Sequence, residues 1–330
     1  MKRVQLYVHG NGRGHANRCA YIASRLRGDG HRVRVWAGGH ARDLLGADHA
    51  PRAPLRPGWA MPLELTRRIL ADGRRLRRER PDVIVSDGDQ AALAAGRARG
   101  IPTIAVGHGL VFAGCALPSD LPAPSLWHQR ANTVIPTTLA HFRVAVHFLP
   151  CRPSGAGVTV ARPDLDPLLS AASSSDDGTI VGYFRFGRSR AVMAALRAEG
   201  LEVRAFGSGP GAARFDRAQF RSALRDCRAV VSNAGSNVLA ECVALGKPVL
   251  AVYASDHHEQ RLNASLVDAA QVGIGACLDT FETPETGRAV AERFARRLKT
   301  NDFAAVSLRE ALPPASAVVA RLVTGVPVEV

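Results

Sequence analysis

Lysine is nearly missing. Lys2, Lys247 and Lys299 are the only lysines among the 43 basic residues, and the other 40 are arginines. That bias reads as the composition of a GC-rich genome, and it takes force from a nucleic-acid reading of the net charge of +14. Aromatic residues are scarce as well, at 5%. The densest basic stretch, residues 67–80, has none on which a base would stack. Nucleic acid is therefore not an expected partner, and the charge points instead to small anionic ligands. No apolar run approaches the roughly 18–20 residues of a membrane helix. The opening MKRVQLYVHG breaks at Gly10 and lacks a signal-peptide cleavage pattern, so a cytoplasmic location is expected. None of the six cysteines stands in a C-x-x-C pair or near a His at zinc-ligand spacing. They are expected to be reduced structural thiols, and no metal is expected.

What is present is a globular composition, with 46% apolar residues over 330 positions, enough for about two domains. Strand-like runs at residues 4–8, 31–36, 83–85 and 101–106 alternate with helical patterns at 17–27, 62–80 and 91–99. Such alternation predicts an α/β fold with parallel sheets. Residues 114–127 have no period and read as a long loop. A Pro- and Ser/Asp-rich stretch follows at 163–178, and then the alternation restarts. The expected organisation is a Rossmann-like domain at 1–162, a linker at 163–178 and a second Rossmann-like domain at 179–330. A central cleft lies between them, and ligands sit at the carboxyl ends of the strands.

Four segments carry chemistry. Gly10-Asn11-Gly12-Arg13-Gly14-His15 follows the first strand and opens a helix, where backbone N–H groups favour an anion. Its spacing is not the G-x-G-x-x-G of dinucleotide sites, and the second strand ends at Trp36-Ala37-Gly38-Gly39 without the required acid. His15 reads either as a proton acceptor for an attacking hydroxyl or as a helix cap. In the second segment, Gly235 and Ser236 open a helix on which Asn237 and Glu241 share one face. That arrangement suits a pyrophosphate with a ribose one turn below. The third, Asp256-His257-His258-Glu259-Gln260, supplies donors and acceptors for sugar hydroxyls and lacks helical zinc spacing. The fourth is a turn at Gly182 with Arg185, which reads as a phosphate contact or a surface charge. Asp87-Gly88-Asp89 and His108 lie at strand ends and are further candidates for positioning a hydroxyl.

Together these segments resemble the GT-B glycosyltransferases. The likeness is to the bacterial enzymes that add N-acetylglucosamine to lipid-linked peptidoglycan precursor and to antibiotic-tailoring enzymes. It rests on residues 232–241, on Gly246-Lys247-Pro248, on Glu259-Gln260 with Asn263-Ala264, and on the Gly loop ending at His15. Asn233 departs from it, standing where many relatives carry His. The resemblance implies an inverting transfer from a nucleotide diphosphate sugar, probed first as a UDP-sugar, to a hydroxyl of a small acceptor in natural-product biosynthesis. It implies no cofactor and no metal. Glu241 would hold the ribose. Ser236, Asn237, Gly12, Gly14, Gly182 and Arg185 would hold the pyrophosphate and the loops around it. Glu259 and Gln260 would contact the donor sugar. His15 would be the base or would position the acceptor, with Asp89 and His108 next in line. The alternatives are a non-hydrolysing UDP-sugar 2-epimerase and a nucleotide- or nucleic-acid-binding protein. The basic helix leaves room for peripheral membrane contact.

Overall fold

Seven short apolar segments pair into one all-parallel sheet. They are β1 (Arg3–Val8), β2 (Arg32–Ala37), β3 (His49–Pro51), β4 (Val83–Asp87), β5 (Thr103–Gly107), β6 (Phe142–Val146) and β7 (Val158–Ala161). Their order is β3-β2-β1-β4-β5-β6-β7. The computed structural model describes residues 1–10, 13–45, 49–52, 61–170, 174–184, 189–207 and 216–325. β4 and β5 are buried along their whole length, as a strand covered by helices on both faces must be. The chain leaves β1 in one direction for β2 and β3, and resumes on the other side with β4. That reversal opens a crevice at the carboxyl ends of β1 and β4. The register sets Val8 beside Asp87, so the helix entered from β1 begins next to that carboxylate.

The second sheet repeats the plan with β8 (Ile180–Phe184), β9 (Val203–Gly207), β10 (Ala229–Asn233), β11 (Val249–Tyr253) and β12 (Gly273–Cys277). It too is parallel, in the order β12-β11-β10-β8-β9. Its reversal falls between β8 and β10, so the end of β10 is where a ligand site is expected.

Three features differ from the reading of the sequence. The stretch 114–127 is not all loop: a helix spans Ala123–Asn132. Pro124 sits in its first turn, where the missing N–H costs nothing, and Leu121 and Ser125 are buried. Residues 163–170 and 174–178 are pinned rather than slack. Asp164 accepts from the Ser316 backbone N–H at 3.0 Å, the Asp177 N–H donates to the Asp226 carbonyl at 2.8 Å, and Lys247 Nζ donates to the Ser175 carbonyl. The compact units are also not continuous blocks. Unit 1 comprises Met1–Ala116, Gln129–Asp164 and Leu312–Val330, and unit 2 comprises Leu117–His128 and Leu165–Ala311. The cause is the helix Ala315–Thr324, whose Ala315, Val318, Val319, Ala320 and Val323 share a core with Val4, Leu6, Ile22 and Val144 of unit 1.

Candidate active site

In unit 1 the helix Arg13–Gly28 presents His15 and Arg18, one turn apart, to the end of β4. His15 Nδ1 lies 2.7 Å from Asp87 Oδ1. Arg18 grips the same carboxylate, with Nε 2.7 Å from Oδ2 and Nη2 3.1 Å from Oδ1. Asp87 is fully buried, the His15 side chain is 33% exposed and the Arg18 side chain 4% exposed. Burial alone would raise the Asp87 carboxyl, but Arg18 and then His15 hold it well below the usual carboxylate range. A carboxylate kept ionised accepts the Nδ1 proton of His15. That fixes the tautomer and leaves Nε2 as a base. Gly88, at φ +77°, completes the corner: a Cβ there would lie 2.9 Å from the Cβ of His9. His9 stacks edge-on with His15 at 5.4 Å. Burial and then its neighbour His15 lower its own pKa.

The partner of His15 is thus Asp87, one of the two strand-end carboxylates of Asp87-Gly88-Asp89, while Asp89, the expected second candidate for the base, is engaged elsewhere. Asp89 caps the helix Gln90–Arg97 by accepting from the Ala92 N–H at 3.1 Å, and both its oxygens receive Arg52. Arg52 also clasps Asp72 at 2.7 and 2.9 Å. Asp89 therefore belongs to a buried ion cluster, with both its oxygens engaged among the described residues. His108 is buried too, with Nδ1 2.9 Å from the Val146 carbonyl. Gly14 lies in the first turn of the His15 helix. Gly12 lies outside the described residues.

In unit 2, β10 leads through Ala234 into the helix Ser236–Ala244. Its cap, Gly235, offers no side-chain hydrogen bond, so among the described residues the N–H groups of the first turn are open to an acceptor. Asn263 is fully buried and donates from Nδ2 to the Ala234 carbonyl at 2.9 Å. It ties this turn to the helix His258–Ala269. Asn237 Oδ1 is buried without a hydrogen-bond partner among the described residues. One turn on, the side chain of the half-buried Glu241 makes no hydrogen bond or ion pair among the described residues, while its carbonyl accepts from the Leu245 N–H. Burial pushes its carboxyl up to about 7, against the pull of Arg221. Arg221 is itself held by Asp166. Glu259 and Gln260 occupy the first turn of His258–Ala269, half-buried. Ser125 Oγ lies 3.1 Å from His258 Nδ1, and the His128 ring packs on His258 with centroids 4.3 Å apart. The segment expected to be a loop is thereby fastened beside Glu259.

Gly182 does not form a phosphate loop. It lies inside β8, paired with Val231 and Ala205. A Cβ there would lie 3.4 Å from Val203 Cγ1. The β-forming residues Val181, Tyr183 and Phe184 carry the strand straight through it. Arg185 lies outside the described residues. Among the described residues no group of three His, Cys, Asp or Glu side chains is placed to hold a metal ion. No helix among them is long and apolar enough to cross a membrane.

The family model described as "Glycosyl transferase family 1" matches residues 67–294. No curated protein sequence matches the chain. Among solved structures, MurG of Acinetobacter baumannii is similar with a TM-score of 0.70 at 16% identity, over 98% of this chain and 100% of that one. CalG4, the calicheamicin glycosyltransferase, is similar at 0.64 and 15%, over 98% of each chain. The spinosyn rhamnosyltransferase SpnG is similar at 0.59 and 17%, over 98% of this chain and 100% of that one. SpnG has been solved with thymidine diphosphate and with spinosyn aglycone. The two parallel-sheet α/β units match GT-B glycosyltransferase structures.

Proposed function

Because the chain belongs to glycosyl transferase family 1, we propose that it is an inverting, metal-independent enzyme moving a sugar from a nucleotide diphosphate sugar to a hydroxyl of a small natural product. Unit 1 contributes the base and unit 2 the donor contacts. The observation that carries this reading is the His15–Asp87 contact of 2.7 Å, with Arg18 holding the carboxylate ionised. His15 Nε2 takes the acceptor hydroxyl's proton as the oxygen attacks the anomeric carbon. The bond to the nucleotide breaks on the opposite face. The charge appearing on the departing diphosphate meets the open N–H groups of the Ser236–Ala244 turn. Epimerase chemistry would need several spare carboxylates at the sugar, whereas of the candidates Asp87, Asp89 and Glu259 the first two are each taken up by an arginine. The direct test offers UDP- and dTDP-sugars with an acceptor panel in the presence of a chelator. Release of nucleoside diphosphate only when acceptor is present, with inversion seen by NMR, is the expected result. Release without acceptor, conversion of the donor to its 2-epimer, or abolition by the chelator would overturn it.

Glu241 makes a pH prediction. If it accepts the ribose hydroxyls it must be ionised, and with a midpoint of about 7 nucleotide affinity rises roughly tenfold between pH 6 and pH 8. Stability of the unliganded protein changes the opposite way. An acid raised in the folded state favours folding below its unfolded value and loses that contribution as pH climbs through about 7. Calorimetric titration with UDP at several pH values checks this. Glu241→Ala should bind more weakly and keep only the phosphate's own titration. Equal affinity in that variant would remove Glu241 from the ribose.

The proposal extends to peripheral contact with an anionic membrane surface through the helix Met61–Glu79. Leu63 and Leu70 are exposed, and Arg67, Arg74 and Arg77 follow them at helical spacing on the same outward face. The acids of this helix turn inward or pair: Asp72 with Arg52 and Arg75, Glu79 with Arg34, Glu64 with Arg68. Co-sedimentation with phosphatidylglycerol vesicles but not phosphatidylcholine vesicles, lost in Leu63→Glu/Leu70→Glu, is expected. Equal recovery with both lipids would dismiss it.

A further inference from the structure

His9 leaves the end of β1, one strand away from the carboxylate that holds His15. β1 and β4 run side by side with Val8 opposite Asp87, and the His9 N–H donates to the Asp87 carbonyl at 2.8 Å. Asp87 therefore holds both histidines, His15 by its carboxylate and His9 by its backbone. The two imidazoles meet edge to face, with centroids 5.4 Å apart and planes 66° apart. Gly88 closes the group. A Cβ at that position would lie 2.9 Å from the Cβ of His9 and 3.5 Å from Cε1 of His15, so both rings pack beside bare backbone. His9 is half-buried, and its side chain makes no hydrogen bond or ion pair among the described residues.

This ring contact meets a need that the Asp87 hydrogen bond leaves open. The bond at Nδ1 fixes one atom of the His15 ring. A histidine ring has a broad preference about its last torsion, so a ring held at one atom can still swing its Nε2. The His9 ring bears on His15 away from that atom, and edge-to-face contacts favour a defined angle. Burial, and then His15 itself, keeps His9 below the usual histidine range, so at neutral pH it is an uncharged ring and no rival cation for Asp87. We propose that His9 is a positioning residue for the base: its imidazole packs edge-on against His15 and keeps Nε2 directed at the acceptor hydroxyl, through ring contact and not through proton transfer. The inference rests on the reading of His15 as the base.

The test compares His9→Ala, His9→Phe and His15→Ala with the parent enzyme. His9→Ala removes the ring. Turnover, followed as nucleoside diphosphate release, should fall about 10–100-fold while calorimetric affinity for UDP stays within about twofold. His9→Phe keeps an edge-on ring without its nitrogens and should return turnover to within about threefold of the parent. In the unaltered protein with labelled histidines, an NOE between the ring protons of His9 and His15 is expected from rings 5.4 Å apart. Parental turnover in His9→Ala beside a slow His15→Ala would overturn the His9 assignment and leave the base in place. So would a loss of UDP affinity that matches the loss of turnover, or a His9→Phe enzyme as slow as His9→Ala, which would mean that a nitrogen is required. Absence of the NOE overturns it even if His9→Ala folds poorly. Parental turnover in His15→Ala, or no transfer by the parent, would overturn the reading of the base and this inference with it.

Discussion

His15→Ala is expected to lower turnover by roughly 10²–10⁴-fold while leaving nucleotide affinity within about twofold, because a positioned base contributes to the proton-transfer step and not to donor binding. The asymmetry follows from where the residue sits. Its Nδ1 is committed to Asp87, and its remaining nitrogen is on a unit 1 helix, whereas the donor contacts proposed for Ser236, Asn237 and Glu241 are all on unit 2. Turnover measured by nucleoside diphosphate release, paired with calorimetric affinity for UDP, separates the two effects. His15→Gln, which keeps bulk and polarity without a basic nitrogen, should be as slow as alanine. Turnover retained in both variants would move the base elsewhere. The structure makes that outcome costly for the reading, because Asp89 is held by Arg52 and His108 Nδ1 by the Val146 carbonyl.

Asp87→Ala should damage both stability and activity. Removing the carboxylate takes the two-point Asp87 contact from the buried Arg18 guanidinium, a loss of up to about 3–5 kcal/mol. It also frees His15 to adopt either tautomer. The two consequences separate in a double variant. Asp87→Ala/Arg18→Met removes both buried charges, so it should recover most of the lost thermal stability. It should not recover turnover, since the imidazole still lacks its acceptor. A double variant as unstable as Asp87→Ala would mean that packing, and not the broken Asp87–Arg18 pair, sets the cost. The pair also has an acid limit. A depressed carboxyl stabilises the fold above the unfolded value of about 4 and loses that contribution as pH falls below it.

The alternation of strands and helices was legible because buried parallel strands such as VIVSD and TIAVG are short and apolar, while their helices carry a repeat near 3.6. The neighbourhood of the strands was not, because pairing order is a tertiary property. Nothing local says that β4, rather than β2, lies on the side of β1 that faces His15. Asp87 and Asp89 are therefore alike as a string of letters. One signal distinguishing them was available: Asp89 directly precedes the run Gln90-Ala91-Ala92-Leu93, the place of a helix cap. The two helix starts of unit 2 were readable from Gly235-Ser236 and Glu259-Gln260, since a cap is local chemistry. Gly182 misled because glycine marks turns more often than strand interiors. The helix Ala123–Asn132 was hidden by prolines that lie at its start. The tether from Ser125 and His128 to His258 joins positions more than a hundred residues apart, which no spacing rule reaches.

The helix Ala315–Thr324, last of the described elements, lies in the core of unit 1 against the helix Arg13–Gly28 and the strands β5, β6 and β7. During synthesis this imposes an order. Apart from the short segment Leu117–His128, unit 2 is one unbroken stretch and can gather its sheet as soon as that stretch has emerged. Unit 1 must wait, because Val318, Val319 and Val323 are the last apolar side chains to arrive at the face formed by Val4, Leu6 and Ile22. Until then the half that carries His15 holds an uncovered oily face, so the nascent chain completes its proposed donor-binding half before its proposed base is held in place.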